Sequence, residues 1–123
     1  MNTPGSFYTD HWPPAVPHRV VLISGANTGI GYETVKALYS SDRIYDILLG
    51  CRNLSNGEEA IAKLKREVGH SESVVTPVVL DISSDESIST AYEFVTMSLG
   101  ITRLDVLINV SFRFHHPSNS PPF

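Results

Sequence analysis

The chain has a single cysteine, Cys51, so no disulfide can form within it and a reducing, cytoplasmic setting is expected. No run approaches the roughly 18 apolar residues that a membrane span needs. Residues 1–6 carry no apolar stretch, which argues against a secretory signal. A formal net charge of −4 with no basic stripe leaves no electrostatic footprint for nucleic acid. Cys51 itself ends an apolar run and has no histidine near it in sequence, so it reads as core rather than as a nucleophile. His115 and His116 are adjacent but lack companion ligands, so no metal site is expected. With 123 residues the prior is one domain, short for a doubly wound enzyme.

What is present is organised around residues 20–31. The run Val20-Val21-Leu22-Ile23 is apolar throughout, as in a parallel strand covered on both faces. Ser24-Gly25-Ala26-Asn27-Thr28-Gly29-Ile30-Gly31 comes next, and a helix-compatible segment starts at once. A strand, a turn almost without side chains and a helix in that order make an anion site, because free N–H groups and the positive dipole end point above the turn. A sharp strand-to-helix turn is the plainer alternative.

The rest of the chain alternates strands and helices. Residues 1–17, rich in proline, read as an extended arm with Phe7, Tyr8 and Trp12 able to dock. The first helix presents Ile30, Val35 and Leu38 and ends near residues 40–42. Residues 47–50 form a second strand. Ser55-Asn56-Gly57-Glu58 fits a capping box with Ser55 as N-cap. The helix behind it buries Ala60, Ile61, Leu64 and Val68, turns Lys63, Lys65, Arg66 and Glu67 to water, and stops at Gly69. Residues 74–80 form a third strand whose Pro77 confines it to a sheet edge. Ser83-Ser84-Asp85-Glu86 opens a third helix with Ile88, Ala91, Val95 and Leu99 on one face, closed by Gly100. Residues 104–109 form a fourth strand. The pattern predicts an α/β parallel sheet of order 3-2-1-4 with helices on both faces, and a crevice between the ends of strands 1 and 4.

The segment from Ser24 to Gly31 resembles the T-G-x-x-x-G-[IL]-G motif of the short-chain dehydrogenase/reductase family, with serine for threonine. The likeness is strongest to carbonyl-reductase-like members. It implies a Rossmann-like fold, truncated here after the fourth strand, in which Gly25, Asn27, Thr28, Gly29, Ile30 and Gly31 cradle a dinucleotide. Strand 2 ends Gly50-Cys51-Arg52-Asn53, with no carboxylate for ribose hydroxyls. Arg52 there implies NADP(H), gripped through its 2′-phosphate; an ordinary surface arginine is the alternative. Asp81-Ile82 resembles the family's pair against adenine, although Asp81 also suits the start of a turn. Asn109 matches the first asparagine of N-N-A-G, after which Val110, Ser111 and Phe112 break the motif and residues 111–123 form an irregular tail.

The family's catalytic serine and downstream Y-x-x-x-K have no counterpart in these residues. Tyr8, Tyr39, Tyr45 and Tyr92 are not followed by a lysine four positions later. The one pair with that spacing, Tyr32 and Lys36, lies in the helix straight after the glycine turn, far ahead of the place the family's pattern requires. The resemblance thus implies the 18–110 cofactor-binding half of an NADP(H)-dependent oxidoreductase, inactive alone. A non-catalytic NADP(H)-binding subunit and a nonfunctional gene product are the alternatives. Residues 106–108 look like an interior strand with no edge protection, which predicts marginal folding, aggregation or self-association through this strand.

Overall fold

The computed structural model describes residues 18–110; the arm at 1–17 and the tail at 111–123, with His115 and His116, lie outside the described residues. The elements in chain order are β1 (Arg19–Ser24), α1 (Gly29–Tyr39), β2 (Tyr45–Cys51), α2 (Leu54–Val68), β3 (Val74–Val79), α3 (Asp85–Glu93) and β4 (Val106–Asn109). All three strand pairs are parallel and the sheet order is β3-β2-β1-β4. This is the expected Rossmann-like arrangement.

Side chains alternate across the sheet, and that alternation divides the core in two. Val21 and Ile23 of β1, with Ile47, Leu49 and Cys51 of β2, meet Tyr32 and Val35 of α1 and Ala60 and Leu64 of α2. Val20 and Leu48 turn the other way, with Val78 and Leu80, and pack on Ala91 of α3. The third helix therefore lies on the face opposite the first two. β3, holding Pro77, is at the edge, where a missing ladder donor goes unpunished.

Several local details differ from the sequence expectation. The buried face of α1 is Gly31, Tyr32, Val35 and Tyr39, whereas Ile30 is 71% exposed. Aromatic bodies fill the space that the aliphatic stripe was expected to fill. The N-cap of α2 is Asn53, whose Oδ1 accepts from the backbone N–H of Ser55 and Asn56 and from Ser55 Oγ. The helix thus starts earlier than a Ser55 cap would allow. The cap of α3 is Ser84, accepting from the Ser87 N–H. After Glu93 the helix widens into a π-turn over Phe94–Ser98, with the Leu99 N–H reaching the Phe94 carbonyl. Val95, Leu99 and Ile101, within and after this turn, pack against the Ala91 cluster, while Ile88, ahead of it, stays exposed.

Two ties hold β4 to β1. The Val20 N–H donates to Asp105 Oδ2 at 2.8 Å and the Asp105 N–H to the Val20 carbonyl at 3.0 Å. At the other end, Ser24 Oγ donates to Asn109 Oδ1 at 2.8 Å.

Candidate functional site

The carboxyl ends of β1, β2 and β3 open onto a cleft of about 750 Å³. Its floor is the turn from Ser24 into α1. Gly25 and Gly29 both take φ of +60°, a left-handed conformation that glycine adopts without strain. Between them the Ala26 N–H donates to the Gly50 carbonyl at 2.8 Å, and Ala26 is fully buried. The turn is thereby fastened to the end of β2. Gly31 lies underneath: a Cβ there would collide with the Gly25 carbonyl and come within 2.8 Å of Ala26 Cα. Only glycine lets α1 press this closely on the turn. Gly50 is constrained likewise, since a Cβ would stand 2.9 Å from the Ile23 carbonyl.

The three helices present their N-termini differently. Thr28 precedes α1 in extended backbone (φ −146°, ψ 167°), its side chain makes no cap bond, and the first turn holds no acidic residue. The first-turn N–H groups of α1 therefore keep their donor capacity and dipole for an outside acceptor. α2 and α3 spend theirs partly on Asn53 and Ser84.

Of the residues singled out by sequence, Gly25, Asn27, Thr28, Gly29, Ile30, Arg52, Asp81 and Ile82 all line this cleft. Gly31 and Asn109 do not. Gly31 acts from beneath, and Asn109 is joined to Ser24 at the β1–β4 junction, beside a second, apolar groove. The exposed Ile30, misplaced as a core residue, sits at the cleft. Arg52 is exposed at the end of β2 and, among the described residues, makes no ion pair. Lys36 is engaged with Glu67 at 3.2 Å.

Asp81 has a structural task as well as a place in the cleft. Its Oδ1 accepts from the Ser83 N–H at 3.0 Å and from Ser83 Oγ at 2.6 Å. The turn reading of Asp81 is thus correct in itself. Cys51 sits just below the cleft, 1% exposed. Burial pushes its thiol up from the ordinary value, so a thiolate nucleophile is not available there.

Sequence reasoning did not single out Ser24, Asn56, Leu80, Ser83 or Val110, which also line the cleft. Ser24 was legible in the motif. Its hydroxyl donates to Asn109 and accepts from the Val110 N–H at 3.1 Å, locking the floor. Asn56 and Ser83 reach the cleft only through the placement of α2 and α3.

The second groove, about 380 Å³, lies on the α3 face and is lined by Leu22, Leu48, Val78, Tyr92, Leu107 and others. Among the described residues no three metal-ligating side chains cluster. No helix there is long and apolar enough to cross a membrane.

The family profile described as short chain dehydrogenase matches residues 19–113. A short-chain dehydrogenase/reductase of Phoma sp, eupG, is 44% identical over 96 residues, covering 77% of this chain and 34% of that protein. The tropE enzyme of Talaromyces stipitatus, of the same description, is 35% identical over 91 residues, 74% of this chain and 34% of its own. Among solved structures, salutaridine reductase from Papaver somniferum superposes with a TM-score of 0.56 at 32% identity, over 73% of this chain and 29% of that one. L-sorbose reductase from Gluconobacter frateurii, complexed with NADPH and L-sorbose, shares the fold with a TM-score of 0.63 at 23% identity, over 86% of this chain and 38% of its own. The chain spans about a third of the length of these relatives. It belongs to the short-chain dehydrogenase/reductase family of nicotinamide-dependent oxidoreductases and corresponds to that family's N-terminal half.

Proposed function

We propose that residues 18–110 form the NADP(H)-binding unit of an oxidoreductase acting between NADPH and a carbonyl or alcohol. The residues around the cleft fit the cofactor's adenosine end. The glycine turn leaves no side chain between backbone and ligand, and the uncapped first turn of α1 suits a diphosphate. Gly25, Asn27, Thr28, Gly29 and Ile30 would lie along it, with Gly31 supporting them from below. Asp81 would accept from the adenine amino group and Ile82 pack on the ring. Asn109 would contribute by holding Ser24 and the β1–β4 junction. When bound, the cofactor supplies or accepts the hydride.

One observation carries the choice of NADP(H) over NAD(H). Arg52 stands on the cleft at the end of β2, where no carboxylate competes for ribose hydroxyls. Its planar fork suits a bidentate grip on a 2′-phosphate. NADPH is expected to bind more tightly than NADH in titration calorimetry, and Arg52→Ala to remove roughly 1.5–3 kcal/mol of that preference. Equal affinities for the two cofactors in the unsubstituted chain would overturn the assignment.

The one Y-x-x-x-K in these 123 residues, Tyr32 to Lys36, lies in α1 with both side chains engaged by Glu67 and neither lining the cleft, so it does not supply the proton that carbonyl reduction needs. A non-catalytic NADP(H)-binding subunit is the second reading. On either reading the buried thiol of Cys51 suits a reducing, cytoplasmic setting. We also propose self-association through the side of β4 that pairs with no further strand among the described residues, where Leu107 is 60% exposed.

A further inference from the structure

We propose that Ser83 is a positioning residue that lets the cleft tell adenine from other purines. The proposal rests on the reading of Asp81 as the partner of the adenine amino group. Three polar groups of Asp81 are held by a run of serines. Its N–H donates to Ser87 Oγ at 2.8 Å, its carbonyl accepts from the Ser84 N–H at 3.0 Å, and its Oδ1 takes both donors of Ser83. Ser87 is in turn fixed by its own N–H on Ser84 Oγ at 3.1 Å.

The turn itself needs only the Ser83 N–H, the ordinary bond of an Asx turn. The hydroxyl at 2.6 Å is a second donor to the same oxygen, and Ser83 lines the cleft together with Asp81. Two donors on one oxygen stop the carboxyl group rotating about its terminal torsion, which is otherwise broad. A carboxylate held in one plane accepts from a hydrogen-bond donor at one place only. Adenine offers an amino group there. Hypoxanthine offers a carbonyl, an acceptor facing an acceptor. A carboxylate free to swing would soften that mismatch. Ser83 thus converts a charge into a base-reading group without touching the chemistry.

The test is the affinity of the full chain for NADPH and for its hypoxanthine analogue, followed by fluorescence titration. The unsubstituted protein is expected to favour NADPH by about tenfold, the order of a hydrogen bond to a charged group. In Ser83→Ala the ratio should fall toward unity, and Ser83→Thr, which keeps the hydroxyl, should restore it. The preference for NADPH over NADH, set at Arg52, should be the same in all three proteins. A Ser83→Ala protein that keeps the full purine ratio, or loses affinity for both nucleotides equally, would overturn the role given to Ser83. An unsubstituted protein that prefers NADPH to NADH but does not distinguish the purines would remove the adenine role of Asp81, and this proposal with it, while leaving the cofactor assignment standing.

Discussion

Gly29 and Gly31 stand two positions apart and are required for different reasons. Gly29 has φ of +60° and open space where a Cβ would go, whereas Gly31 has ordinary backbone and no space at all. Alanine at 29 should therefore cost only the left-handed penalty, about 1–2 kcal/mol. Alanine at 31 meets backbone that cannot move aside, and about 1–3 kcal/mol of overpacking should come with displacement of α1 from the turn. Denaturant melts and NADPH titration check both: Gly29→Ala, on the cleft itself, should lose some stability and some affinity, and Gly31→Ala, which displaces the turn, should lose more of each. Tyr32, next in sequence, gives a pH signature. Its hydroxyl donates to Glu67 Oε1 at 2.7 Å, and Lys63 Nζ lies 4.7 Å from its ring centroid. Burial first, and then that bond, push the hydroxyl from 10.0 to about 12. A value raised on folding contributes stability that is complete below pH 10.0 and is lost as the pH rises through about 12. Glu67 is held below its ordinary 4.5, by the Tyr32 bond first and then by Lys36. Its contribution is present above 4.5 and is lost as the pH falls through the lowered value. Tyr32→Phe should lower the melting temperature by a few degrees and flatten the alkaline decline. An unchanged alkaline limb would show that folding does not raise the Tyr32 pKa.

At the scale of elements, the start of α2 shows how capping chemistry is shared out. Asn53 Oδ1 collects three donors within 3.3 Å, while Ser55 Oγ is itself one of the donors. Asn53→Ala should cost about 1 kcal/mol, the usual loss of a cap, and Ser55→Ala distinctly less; equal losses in urea melts would return the cap to Ser55. The charged face of α2 has a similar lesson. Lys65 and Arg66 are exposed as expected of a solvated face, but Lys63 and Glu67 reach across to Tyr32 and Lys36 on α1. Spacing along one helix shows which residues share a face. It does not show that a neighbouring helix brings a tyrosine to that face.

For the whole molecule, the described sheet is well covered on the α1–α2 face and thinly on the other. Leu107, Tyr92 and Ile88 are 60%, 69% and 43% exposed around the apolar groove beside β4. β4 pairs only with β1 among the described residues, so its outer N–H and C=O groups face away from the ladder. An apolar edge of this kind invites pairing with another chain. Light scattering should find dimers or larger species, and Leu107→Lys should shift them toward monomer. A monodisperse monomer with a cooperative melt in the unsubstituted chain would show that the edge is covered.

The strand order, the division of helices between faces and the glycine turn were all determined by local sequence. Fully apolar strands, a proline in the third and a turn without side chains leave few other arrangements. Arg52, Asp81 and the glycines could be named for the same reason: each sits immediately after a strand, and parallel strands bring their ends to one side. What only the tertiary structure decided is how distant segments share their hydrogen bonds and space. Asn109 holds Ser24 from 85 positions away, Asn56 and Ser83 arrive at the cleft from the starts of separate helices, and Tyr32 displaces Ile30 from the core. Periodicity fixes which face of an element is apolar, but the partner of a buried polar atom is set by what the packed sheet carries up to it.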